Sequence, residues 1–99
     1  MGCIFSERAA HDLEEIGDYI AQDNPQRALS YIQELRERCQ KATAMPGAPL
    51  IVDQIGGLPV RKIIFGRYRI YYTWLQEQDV IVILHIRHSA RTDPDFSSL

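Results

Sequence analysis

Apolar residues along the 99-residue chain recur with two different periods, and the change between them divides the sequence. In the first part Leu13, Ile16 and Ile20 return at helical spacing, while Asp12, Glu14, Glu15 and Asp18 read as a solvated face. Ser6 precedes this run as its N-cap, where a hydroxyl accepts from an otherwise orphaned backbone N–H, and Glu7 suits the positive end of the helix. The triplet Cys3-Ile4-Phe5 before the cap reads as a short strand. Asn24-Pro25 closes the first helix and opens a second, with Asn24 as cap and Pro25 as first helical residue. The second helix carries a stripe at Ala28, Ile32, Leu35, Cys39 and Ala42. Two amphipathic helices joined by so few residues fold back on each other as an antiparallel hairpin.

Residues 45–57 hold Pro46, Gly47, Pro49, Gly56 and Gly57 and read as a loop. Beyond it the period becomes two. Leu58–Phe65 is a strand, Gly66-Arg67 a turn, and Tyr68–Leu75 a strand with two unlike faces. Tyr68, Ile70, Tyr72 and Trp74 share the face expected to be core; Arg69, Tyr71 and Thr73 share the other. Gln76-Glu77-Gln78-Asp79 turns the chain into residues 80–86, apolar on both faces as an interior strand should be. The tail from His88, with Asp93-Pro94, is expected on the surface. The pattern predicts one α+β domain over residues 1–99 in the order β-α-α-β-β-β, its helical hairpin packed on one face of a small, mostly antiparallel sheet. The face bearing Arg69 and Tyr71 is then expected to stay open to a partner.

Composition refines this without changing it. Apolar residues make up 45% and charged residues 24%, as in ordinary globular chains. No apolar run approaches the roughly 20 residues that span a bilayer, and the N-terminus lacks the basic start of a signal peptide. Cys3 and Cys39 form neither a disulfide framework nor a metal spacing, and Cys39 falls on a helix stripe, as a buried free thiol would. A cytoplasmic setting is expected, with no membrane partner, no metal and no cofactor. The net charge of −2 conceals a split: residues 1–58 hold nine acids and five bases, residues 59–99 six bases and four acids. The basic half is therefore the one expected to meet an anionic or acidic partner.

Three segments carry a family resemblance. Ser6-Glu7-Arg8-Ala9-Ala10-His11-Asp12-Leu13-Glu14-Glu15-Ile16, followed by Tyr19-Ile20, resembles the strand-to-helix opening "A-x-x-D-L-x-x-I" of the RelE/ParE superfamily of bacterial toxin–antitoxin toxins, also called plasmid stabilisation proteins. Gly66-Arg67-Tyr68-Arg69-Ile70-Tyr71-Tyr72 is similar to its "G-x-Y-R-I-x-Y", and Ile83-Leu84-His85-Ile86-Arg87 to its "V-L-H-x-R". The resemblance covers nearly the whole chain. It implies a hairpin-on-sheet fold and a cognate antitoxin, in a toxin–antitoxin hetero-oligomer. Two activities occur in the superfamily: ribosome-dependent mRNA cleavage in RelE-like toxins, and poisoning of DNA gyrase in ParE-like ones.

RNA cleavage without a metal needs a base, an acid and cations for the phosphorane. Against the RelE-like set, Arg69 matches a strand arginine and Lys62 one lysine, with His88 and Arg91 as further candidates. A second lysine position falls near Val60, and the terminal aromatic acid/base position near Phe96, which has no ionisable group. The set is partial, and an acidic chain is poorly suited to bind mRNA through its phosphates. The H-x-R ending and the hairpin look more like the ParE branch. The expectation is thus a gyrase-inhibiting toxin that is not itself a catalyst; an endoribonuclease, or an inactive homologue that only binds antitoxin, are the alternatives. Target or partner contact is expected from Arg61, Arg67, Arg69, Tyr71, His85, Arg87, His88 and Arg91. For His85, at the end of a buried strand, a hydrogen-bonded structural role is at least as well supported. His11 is expected on the surface.

Overall fold

The computed structural model describes residues 2–97. Strand β1 (Gly2–Phe5) runs into Ser6, whose Oγ accepts from the Ala9 N–H at 3.1 Å and so starts helix α1 (Glu7–Ala21). Asn24 repeats the device for α2 (Pro25–Lys41): its Oδ1 accepts from the Arg27 N–H at 3.0 Å, and Pro25 takes a position where no N–H is needed. A 3₁₀ turn (Ala42–Ala44) ends the hairpin. Four strands follow: β2 (Ile51–Ile55), β3 (Leu58–Phe65), β4 (Tyr68–Leu75) and β5 (Val80–His88). The sheet order is β1-β5-β4-β3-β2, with β1 parallel to β5 and every other pair antiparallel.

The fold class is the one the sequence predicts, with one strand added. β2 lies inside the stretch read as loop. Gly56 and Gly57 have φ of 54° and 82°, the left-handed pair whose twist suits a two-residue hairpin turn, and the branched Ile51, Val52 and Ile55 build the strand. Pro46 and Pro49 precede it, so the breakers that suggested a loop do not fall within the ladder.

On the helix side, Leu13, Ile16, Leu35 and Cys39 meet Ile63, Ile70, Tyr72, Ile81, Ile83 and Ile86, with Tyr68 and Trp74 packed against them. Tyr72 keeps its hydroxyl paired by donating to the Pro46 carbonyl at 2.6 Å. Burial pushes the Cys39 thiol up to about 12, which leaves it protonated at neutral pH.

The other side departs from expectation. It is not open: Val60, Tyr71 and Phe96 form a second buried cluster, flanked by Val52, Ile55 and Leu84. The added strand gives this face an apolar floor too wide to leave wet, and Phe96 covers it, held by its N–H to Asp53 Oδ2 at 3.0 Å. The tail is therefore not wholly a surface segment. Among the described residues no helix is long and apolar enough to cross a membrane.

Candidate functional site

The site is built on a defect in the sheet. β1 pairs with β5 only as far as Phe5 opposite Ile83, so the next residues of β5 have no strand on that side. Helix α1 supplies the missing partners. Ser6 Oγ donates to the Leu84 carbonyl at 3.0 Å, and Asp12 Oδ2 accepts from the Ile86 N–H at 2.9 Å. A bulge in β5 moves the β4 register from Tyr72–Ile83 to Tyr71–His85 and leaves both Ile83 and Ile86 in the helix-side core. Beside the bulge His85 Nδ1 pairs with the same Asp12 oxygen, while Arg8 Nε sits 3.1 Å from the other.

Asp12 is 4% exposed, so the reading of it as part of a solvated acidic face is corrected. It falls between Ala9, Leu13 and Ile16 on the inward stripe, a spacing that marks it as internal. Burial alone would raise its carboxyl. The hydrogen bonds from His85 and Ile86, with the charges of His85 and Arg8, together outweigh that and hold it below the ordinary carboxylate value. The opening and closing motifs of the sequence thus meet at one buried pair, and His85 has a hydrogen-bonded structural place.

Above this pair lies a cavity of about 410 Å³, walled by Tyr19 and Tyr68 and rimmed by Arg8, Arg87, His88 and Arg91. Of the cavity's walls, His88 stacks edge-on against Tyr68 with ring centroids 5.4 Å apart, and its Nδ1 accepts from the Ala90 N–H at 3.1 Å. Four basic side chains and two phenols outnumber the carboxylates of Asp12 and Glu15 around this concave surface, which can take a carboxylate, a phosphate or an acidic protein segment.

Arg69 is directed elsewhere. Its side chain is 11% exposed. Nη1 pairs with Asp93 at 2.6 Å; Nη2 donates to the carbonyls of His88 and Ser89 at 3.3 and 3.1 Å, and also to that of Arg91. Tyr71 is fully buried and donates its hydroxyl to Asp93; burial first, and then this bond, drive its pKa far up, while the same bond lowers that of Asp93. Arg61 is tied to the carbonyls of Gly47 and Pro49 at 2.9 and 2.8 Å. Arg67 and Arg91 are exposed, and Lys62, Arg87 and His88 are half-buried. His11 is exposed and bonds Glu15 at 2.7 Å.

The candidate contact residues therefore divide. His85, Arg87, His88 and Arg91 share the cavity; Arg69 and Tyr71 hold the tail; Arg61 and Arg67 belong to neither group. Sequence reasoning missed Arg8, Asp12, Tyr19 and Asp93. Only Asp12 carried a signal, its place on the apolar stripe.

A helical hairpin on one face of a mixed five-stranded sheet is an architecture this chain shares with solved RelE and ParDE chains. Isolated E. coli RelE toxin superposes with a TM-score of 0.59 at 18% identity, covering 92% of this chain and 86% of that chain. A chain of the intact E. coli RelBE toxin–antitoxin complex gives 0.59 at 18%, covering 90% and 96%; both likenesses are of fold alone. A chain of the chromosomal ParDE TA system from P. aeruginosa gives 0.70 at 25% identity, covering 89% of this chain and 95% of that one. Residues 3–92 match the family described as ParE toxin of type II toxin-antitoxin system, parDE, and the chain belongs to that family. No curated protein matches it.

Proposed function

We propose that this ParE-family toxin acts in the cytoplasm on DNA gyrase, touching it with the cavity rim around Arg8, Arg87, His88 and Arg91, and that a cognate antitoxin neutralises it. One observation carries the preference for gyrase over mRNA. The strand arginine that a nuclease of this fold would present to RNA, Arg69, is committed to Asp93 and three backbone carbonyls beneath the tail. A guanidinium neutralised and covered in this way, its side chain 11% exposed, is not presented to an RNA phosphate while the tail is in place. The antitoxin follows from the family and from neighbours solved as toxin–antitoxin complexes.

The test runs two assays on one preparation. Inhibition of gyrase supercoiling or accumulation of cleaved DNA, with mRNA intact in a translating extract, is the expected result. Ribosome-dependent mRNA cuts that disappear in Arg69→Ala, with gyrase unaffected, would replace this reading by the nuclease one. Growth arrest on induction, relieved by co-expressing the antitoxin, separates both from an inert homologue.

A further inference from the structure

We propose that the sheet face beneath residues 89–97 is a docking groove for an acidic–aromatic segment of a partner protein, filled in this structure by the chain's own Asp93 and Phe96. The groove has two subsites. In the polar one, Asp93 accepts from the Tyr71 hydroxyl and from Arg69 Nη1 at 2.6 Å. Lys62 and Arg87 add their charge to these two, and together they hold the Asp93 carboxyl below its usual range. In the apolar one, three residues on, Phe96 is 5% exposed against Val60 and Tyr71, the two rings 5.5 Å apart. Tyr71 serves both, its hydroxyl in the first and its ring in the second.

The polar subsite has more donors than its occupant can use. Arg69 and Arg87 stand directly opposite each other on β4 and β5, an arrangement that repels unless an anion lies between them. Lys62 brings a third positive charge to one carboxylate. Arg69 Nε and Arg87 Nε are both buried with no hydrogen-bond partner among the described residues. Unsatisfied buried donors are costly, and a second carboxylate oxygen or a second acid would satisfy them.

The occupant is not part of the sheet. Residues 91–97 belong to no helix or strand, and the Arg69 contacts to backbone carbonyls, Asp93 and Phe96 are among their attachments. Exchange breaks no ladder. An incoming segment with an acid and, three residues later, an aromatic meets the same partners. A nucleic-acid backbone would satisfy the cations but leave the Phe96 pocket unfilled, which favours a peptide.

The test uses the full chain and a fluorescent peptide with the sequence of residues 91–97, followed by anisotropy. The double variant Asp93→Asn, Phe96→Ala should bind the peptide at least tenfold more tightly than the wild type, whose own tail competes. Arg87→Gln added to it, or Asp→Asn at the first acid of the peptide, should each weaken binding about tenfold. Should the double variant fail to fold by circular dichroism, Asp93→Asn alone carries the same comparison. Equal binding to wild type and variant, or none to a folded variant, overturns the proposal. Binding of a short oligonucleotide instead of the peptide overturns it in favour of a polyanion site. Dimerisation of the loosened chain without peptide binding overturns it in favour of a second copy's tail. None of these readouts involves gyrase.

Discussion

Asp12 does for β5 what two more residues of β1 would have done. Its carboxylate accepts from the Ile86 N–H and from His85 where no neighbouring strand reaches. Asp12→Ala leaves that N–H and the imidazole buried without a partner and should cost about 3 kcal/mol in urea unfolding. Asp12→Asn keeps one acceptor oxygen and should cost less. The folded pKa lies below the unfolded one, so this stabilisation is complete above about pH 4 and is lost as pH falls through the folded value. Asp93 shifts in the same direction from a half-exposed position, so its part is smaller. Unfolding midpoints measured from pH 2 to 6 should show an acid limb in the wild type that is flatter in Asp12→Asn. Tyr72→Phe removes the buried bond to Pro46 and should cost about 1 kcal/mol with no change in the urea m-value. Asp12 was hidden in the sequence by its company, since Glu14, Glu15 and Asp18 beside it are exposed. Tyr71 was hidden for another reason: a period of two assigns a face but says nothing of what covers it.

The helices and the three long strands were legible because their signals are local. Caps at Ser6 and Asn24, the proline at the start of α2 and the alternation in β4 each act within a few residues. Ser6→Ala removes both the cap to Ala9 and the bond to Leu84 and should cost about 2 kcal/mol by thermal or urea unfolding. The β3–β4 turn makes a similar demand on Gly66, whose φ is +57° and where an added Cβ would lie 3.0 Å from Tyr31 Oη. Gly66→Ala should lower stability by about 1–2 kcal/mol without moving the cavity residues. β2 was not legible as a strand because its neighbourhood is dense in proline and glycine, although Gly-Gly between apolar runs is itself a hairpin signal. The tail was misread since a single Phe96 among polar residues has no periodicity to betray it.

At the scale of the molecule, 40 × 28 × 21 Å across, the split of charge along the sequence becomes a division between surfaces. Glu14, Glu15 and Asp18 stay on the exposed side of α1, while Lys62, Arg69 and Arg87 converge beneath the tail. The cavity draws on both halves, with Arg8 and Tyr19 from the first and Arg87, His88 and Arg91 from the second. That convergence could not be read from spacing, because it depends on where the unpaired edge of β5 meets α1. Arg91 lines the cavity, and its backbone serves the fold, its N–H donating to the His88 carbonyl at 3.1 Å and its carbonyl accepting from Arg69. On the proposed gyrase reading, Arg91→Glu should reduce inhibition of supercoiling at least tenfold, with stability unchanged within about 0.5 kcal/mol. Loss of stability on the same scale as loss of activity would remove Arg91 from the contact surface.

The parallel pairing of the first strand with the last has a consequence for how the molecule comes into being. The bond from Ser6 to Leu84 joins residues 78 apart, and β1 has no other neighbour in the sheet. A hairpin emerging from the ribosome can close α1 on α2 early, but its apolar stripe has no sheet to rest on until β5 is made. At about 5–20 residues per second, several seconds separate the two events. Refolding in vitro, followed through the single Trp74, should accordingly run in milliseconds to seconds rather than in the microseconds of helical bundles. A growing chain of this kind stays without its assembled cavity until β5 and the residues that follow it have been made.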